Sequence, residues 1–180
     1  MKNLEKKIQD VVNLYKSKKF LQAESLGKKL IIKHPKVSFL YNLLGLIMYH
    51  QKKYDDALYF YEKGIRIKPD YAMIYNNLGM LYKSKQDFIK AENYYRKSIN
   101  LDSKLPEPQN NLGNLYIGIN KHKEAINYFK NSININANFY IAHYNLGIAY
   151  KSIGELNKSK HHLKRAIQLY PRFYNAHRAF

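Results

Sequence analysis

The dipeptide Leu-Gly stands at Leu44-Gly45, Leu78-Gly79, Leu112-Gly113 and Leu146-Gly147, each copy 34 residues after the last. A fixed interval of this length marks an array of stacked supersecondary units, and it outranks any local propensity in deciding the fold. The recurrence extends past the dipeptide. Three residues after each glycine come Met48, Tyr82, Tyr116 and Tyr150; twelve after it come Ala57, Ala91, Ala125 and, as a departure, Ser159. Four further on are Tyr61, Tyr95, Phe129 and Leu163. Apolar residues recur within each copy at helical spacing, as in Tyr75, Leu78, Tyr82 and then Phe88, Ala91, Tyr95, Ile99, which predicts two amphipathic helices per copy. Polar stretches such as Lys83-Ser84-Lys85-Gln86-Asp87 separate them. The glycine and alanine positions leave room where the two helices cross, and most tyrosines fall on packing positions.

This pattern resembles the tetratricopeptide repeat family. The resemblance implies an all-α, right-handed superhelical solenoid of about five helix-turn-helix units plus the start of a sixth. Counted from seven residues before each glycine, the units are 38–71, 72–105, 106–139 and 140–173, within one domain over 1–180. A weaker unit, 4–37, precedes them in phase: Ala23 and Pro35 match, but Asp10 and Val11 stand where the Leu-Gly pair belongs. Residues 174–180 read as a partial sixth unit or a capping helix.

Composition narrows the function. With 46% hydrophobic residues the chain has enough material for a continuous core, and the absence of cysteine removes disulfides and thiolate metal sites. Charged residues follow Met1 at once, and no apolar run approaches the length needed to span a bilayer. The expectation is a cytoplasmic protein with no membrane partner. Net charge is +18, which invites a nucleic-acid reading. Two features argue against it. Lysine outnumbers arginine 26 to 5, whereas bidentate recognition of phosphates and bases favours arginine. The charge is also concentrated at the ends, with +7 over residues 1–37 and +6 over 140–180.

No catalytic constellation emerges, and no cofactor is expected. Gly113 and Gly118 match half of a phosphate loop, but Ile119 and Asn120 stand where Lys and Ser or Thr are required. The seven histidines are scattered without metal-site spacing, and His161-His162 point to different helix faces. The reading is a non-enzymatic segment.

The family resemblance also implies that the first helix of each unit lines a concave surface, with its second, fifth, sixth, ninth and twelfth positions facing inward. The sixth position carries Leu43, Asn77, Asn111 and Asn145; the fifth carries Asn42, Asn76, Asn110 and Tyr144. The sixth-position set is similar to the asparagine ladder in the arms of O-linked N-acetylglucosamine transferases, with Leu43 breaking it. An amide offers both a donor and an acceptor, so such a ladder pairs with the backbone of an extended peptide. The family's carboxylate clamp does not fit, because the corresponding positions (Asn42, Leu46, Asn77, Glu107, Asn111 in one register) lack the cations it needs. Lys83 and Lys151, both at the twelfth position, favour an acidic peptide. The expected partner is therefore a protein or extended peptide. The tail from Pro171 offers Tyr174 and Phe180 rather than a polar cap, which predicts either a longer parent or a homodimer through the C-terminal end. A docking or dimerising arm of a glycosyltransferase or sulfotransferase is the main alternative function, and electrostatic nucleic-acid binding the second.

Overall fold

The computed structural model describes residues 2–180, which form eleven helices with no strand among them. In chain order these are α1 (Lys2–Lys16), α2 (Phe20–Lys33), α3 (Ser38–His50), α4 (Tyr54–Ile67), α5 (Ala72–Ser84), α6 (Phe88–Leu101), α7 (Pro106–Gly118), α8 (His122–Ile135), α9 (Tyr140–Ser152), α10 (Leu156–Leu169) and α11 (Tyr174–Ala179). Consecutive helices pair as hairpins, and the hairpins stack in order. The odd-numbered helices α1, α3, α5, α7 and α9 also touch one another, each the next but one in sequence, while no comparable contact joins the even-numbered ones. The odd helices therefore form the inner rail of a curved solenoid, and the even helices the outer one.

The four hairpins from α3 to α10 each close on a glycine. A Cβ on Gly79 would lie 2.5 Å from the Tyr95 ring, on Gly113 2.6 Å from Phe129, and on Gly147 2.8 Å from Leu163; Gly45 meets Tyr61 in the same way. Tyr61, Tyr95 and Phe129 are among the largest fully buried side chains, so a ring from the middle of the second helix fills the space that the missing Cβ leaves. The buried core runs in two clusters, from Val11 to Leu81 and from Ala91 to Tyr150, with Tyr82 packed against both. Of the five tyrosines expected in the core, Tyr61, Tyr95, Tyr116 and Tyr150 are buried, while Tyr82 is half-exposed on the Tyr94 ring. The Tyr61 hydroxyl is buried without a hydrogen-bond partner.

Several recurring contacts fix each unit on the next. Residues Lys18, Lys52, Gln86, Asn120 and Gly154, again 34 apart, adopt positive φ between 58° and 80° to end each inner helix. Only one is glycine, so four units carry the cost of a side chain in the left-handed region, about 1 kcal/mol each. The Ser98 and Ser132 hydroxyls donate to the first carbonyls of α5 and α7 (Ala72 and Pro106, both 2.8 Å). In the preceding unit the partners are exchanged, and the Ser38 hydroxyl donates to the Gly64 carbonyl. The side chains of Tyr41, Tyr75, His143 and His177 each reach back six residues to a turn carbonyl.

The departure at Asp10 has a structural reason. Leu40, Leu44 and Ile47 of α3 are fully buried, as are their equivalents Ile74, Leu78 and Leu81 of α5. The same positions of α1 are Lys6, Asp10 and Asn13, all exposed. The apolar seam thus ends at α1 on a polar face. At the other end, α11 leaves Tyr174 77% and Phe180 57% exposed.

His143 and His162 replace a tyrosine pair. In unit 72–105 the equivalent rings are Tyr75 and Tyr94, stacked at 6.4 Å; here the two Nδ1 atoms lie 3.1 Å apart. His143 Nε2 donates to the Ala137 carbonyl (3.1 Å), so its Nδ1 is the acceptor and His162 Nδ1–H the donor. Burial, and then the proximity of His143, His161 and Lys130, pushes His162 down to about 4, and His143 is lowered chiefly by burial.

These contacts set two expectations. Gly79→Ala, which forces a methyl into the Tyr95 ring, is expected to destabilise by about 1–3 kcal/mol. Gly118→Ala, with open space around the new Cβ, is expected to be neutral or to stabilise by up to about 1 kcal/mol; urea denaturation of both variants checks the contrast. The second concerns pH. Because the folded state holds His162 and His143 below the ordinary histidine value, it favours their neutral forms. Their contribution is therefore complete above about pH 6.5 and is lost as pH falls from there toward 4. His162→Phe, matching Phe60 at the equivalent position, is expected to flatten the fall in melting temperature between pH 6.5 and 4.5; an unchanged slope would refute the assignment.

Candidate functional site

The inner rail lines a groove, and its sixth-position asparagines are wired to the fifth-position ones of the unit before. Asn77 Nδ2 donates to Asn42 Oδ1 (2.8 Å), Asn111 to Asn76 (2.9 Å) and Asn145 to Asn110 (2.9 Å). Asn42, Asn76, Asn77 and Asn110 are buried, each 6% exposed or less. The amides expected to meet a peptide are thus committed first to one another, because a buried amide without a partner is costly. At the junction before them the same two places are held by Ile8 and Leu43, both in the apolar core cluster. An apolar pair takes the place of the amide pair, which explains why Leu43 breaks the ladder. After the pairing, the carbonyl oxygens of Asn111 and Asn145 have no partner among the described residues, and both side chains are half-exposed.

Asn111 also borders a cavity of about 340 Å³ whose other walls are Tyr49, Met80, Lys83, Ser84 and Tyr95. Lys83 is half-buried and makes no ion pair with any described residue. Burial lowers its pKa from the ordinary lysine value. The Tyr49 and Ser84 hydroxyls pair at 2.9 Å. Only one of the two O–H groups is consumed by that bond, so the other is left to donate. A second cavity of about 400 Å³ lies at the opposite end of the same inner helices, with Phe39, Met73 and Leu105 as apolar walls and Asp70 and Asp102 at its edge.

The remaining expected residues lie outside the Lys83 cavity. Lys151 is exposed and donates to the Ala179 carbonyl at the end of α11 (3.1 Å). Tyr144 packs edge-on against the Phe173 ring at 5.0 Å and borders a small hollow with Asn175 and Arg178. Of the other residues bordering the Lys83 cavity, Tyr95 reads in the sequence as a packing ring and Ser84 as part of a turn, and Tyr49 and Met80 are not singled out there. Their signal was present, since Tyr49 shares the twelfth position with Lys83 and Met80 occupies a ninth, but the chain's many tyrosines hid it. Among the described residues, no group of three or more His, Cys, Asp or Glu gathers as a metal site, and no helix is long and apolar enough to cross a membrane.

A family model described as tetratricopeptide repeat matches residues 70–138, another matches 140–173, and a TPR repeat model matches 45–86. The chain belongs to the tetratricopeptide repeat family. Solved structures agree on the fold. A chain of the APC/C hetero-tetramer Cut9–Hcn1 superposes with a TM-score of 0.87 at 19% identity over 98% of this chain, which spans 35% of that one. TTC0263, a thermophilic TPR protein of Thermus thermophilus, gives a TM-score of 0.85 at 15% identity, covering 98% of this chain and 96% of that one. YrrB, described as a TPR protein with an unusual peptide-binding site, gives 0.63 at 19% identity over 96% and 89% of the two chains. No curated protein sequence matches. At these identities the likeness is one of fold.

The Asn76–Asn111 rung has its own test. Asn111→Leu alone leaves the Asn76 carbonyl buried and unpaired, which is expected to cost about 1–3 kcal/mol. The double variant Asn76→Ile, Asn111→Leu, copying the Ile8–Leu43 junction, is expected to recover much of that loss in urea denaturation. Additive losses would refute the rung.

Proposed function

We propose that this tetratricopeptide repeat protein is a non-catalytic scaffold whose inner groove holds an extended segment of a partner protein. The observation that carries the reading is Lys83: an ammonium half-withdrawn from water, in no ion pair with a described residue, on the wall of a cavity near the C-terminal end of α5. Taking a charge out of water is unfavourable unless something compensates it. An acidic side chain of a bound segment supplies that compensation. The open carbonyl oxygens of Asn111 and Asn145 add acceptors for backbone N–H groups at successive units. YrrB, which shares the fold, is described as having a peptide-binding site, and that supports the class of ligand.

The test places a photo-crosslinking amino acid at Met80, inside the groove, and separately at Asn127 on the outer helix α8. Crosslinks to partner proteins from position 80, reduced by Lys83→Glu and absent from position 127, are the expected result. Equal labelling from both positions would overturn the groove reading. Lys83 is a suitable probe because its removal orphans no buried partner, unlike substitution of the asparagines.

A further inference from the structure

The two cavities share the same three inner helices. Phe39, Met73 and Leu105 of the first sit at or just before the N-terminal ends of α3, α5 and α7. Tyr49, Lys83 and Asn111 of the second lie further along those helices. They are therefore two ends of one stretch of groove, with the Asn42–Asn77 rung bordering the first and the Asn76–Asn111 rung the second. On α5 the first cavity is marked by Met73 and the second by Lys83, ten residues apart, or about 15 Å along the helix. Their chemistry differs. The first sets apolar walls from Phe39, Met73, Leu101 and Leu105 beside Asn42 and Tyr71, and its charged lining is two carboxylates, Asp70 and Asp102, against one lysine, Lys68. The second has the unpaired Lys83 ammonium, the spare hydroxyl of the Tyr49–Ser84 pair and the Asn111 amide.

Resting on the groove reading above, we infer that this stretch of groove selects a peptide segment carrying a large apolar side chain and an acidic side chain about four to five residues apart. The spacing is about 15 Å divided by the 3.3–3.4 Å rise of an extended chain. Its polarity follows from charge. A carboxylate at the first cavity meets Asp70 and Asp102 and is repelled. At the second it accepts from the Lys83 ammonium and from a hydroxyl, and charge-assisted bonds of that kind are the stronger class. The apolar walls of the first cavity in turn offer nothing to an ion but bury an aliphatic or aromatic side chain. One end of the ligand is thus fixed by exclusion of water from apolar surface and the other by charge, with the spacing set by the length of α5.

The test is selection of a random twelve-residue phage-displayed peptide library on the full chain and on three variants, Met73→Arg, Lys83→Met and Lys83→Glu, each checked by circular dichroism for wild-type helicity and melting. The expected outcome is enrichment of peptides with an Asp or Glu about four to five positions from a large apolar residue. Lys83→Met is expected to lose the acidic preference, Lys83→Glu to replace it with Lys or Arg, and Met73→Arg to lose the apolar one. A selected peptide made synthetically is expected to bind Lys83→Glu about tenfold more weakly or worse. Peptides weakened by at least one of the three groove substitutions but showing no paired pattern would overturn the inference while leaving the groove function standing. Peptides indifferent to every groove substitution, or no selected peptide at all, would overturn both.

Discussion

The contact on which everything else rests is a ring laid across a glycine. In each full unit the inner helix bares its backbone at Gly45, Gly79, Gly113 or Gly147, and a side chain from the outer helix closes onto it. Such a ring buries enough apolar surface to contribute about 2–3 kcal/mol, but its geometric effect matters as much. Because the same small residue meets a similar large one at the same place, each hairpin has nearly the same crossing. Identical hairpins stack with identical offsets, so residues 34 or 35 apart in sequence become neighbours in space. That regularity brings Asn42 beside Asn77, Asn76 beside Asn111 and Asn110 beside Asn145. The groove is a by-product of the hairpin.

The parts of the molecule legible in the sequence are those governed by period and side-chain size. The glycines, the alanines and the rings that face them all lie where spacing puts them, and Ser159 occupies its alanine position buried, as a small residue can. What was not legible depends on pairings between distant positions. The amides of Asn42, Asn76 and Asn110 look like solvated groups until the stack places another amide 2.8–2.9 Å away. His143 and His162, 19 residues apart, read as scattered histidines, and only the superposition of units shows them filling a tyrosine pair's place. The turns are the most hidden of all. Lys18, Lys52 and Gln86 have no preference for positive φ, so the backbone there is dictated by the helices on either side and not by the residue itself.

The electrostatic reading shifts in the same way. A net charge of +18 invites an anion-binding reading, yet most of these lysines are exposed and their fields are screened within about 10 Å by salt. Lys83 differs because its surroundings hold less water. One cation in a partly desolvated recess discriminates more than many on open surface, since low local polarity strengthens any interaction made there. Glu24 shows the converse for an acid: hydrogen bonds from Lys28, Gln51 and Lys53 outweigh its own burial and hold it down at about 2, clasping the first two hairpins together.

The amide rungs lie on the inner, shorter rail of the curve, where any straightening of the array is felt first as stretch. Three bonds of 2.8–2.9 Å in series have little travel before they break. The curvature over α3 to α9 is accordingly set by fixed lengths and not by a spring: it resists opening far more than a purely apolar seam, whose surfaces can slide.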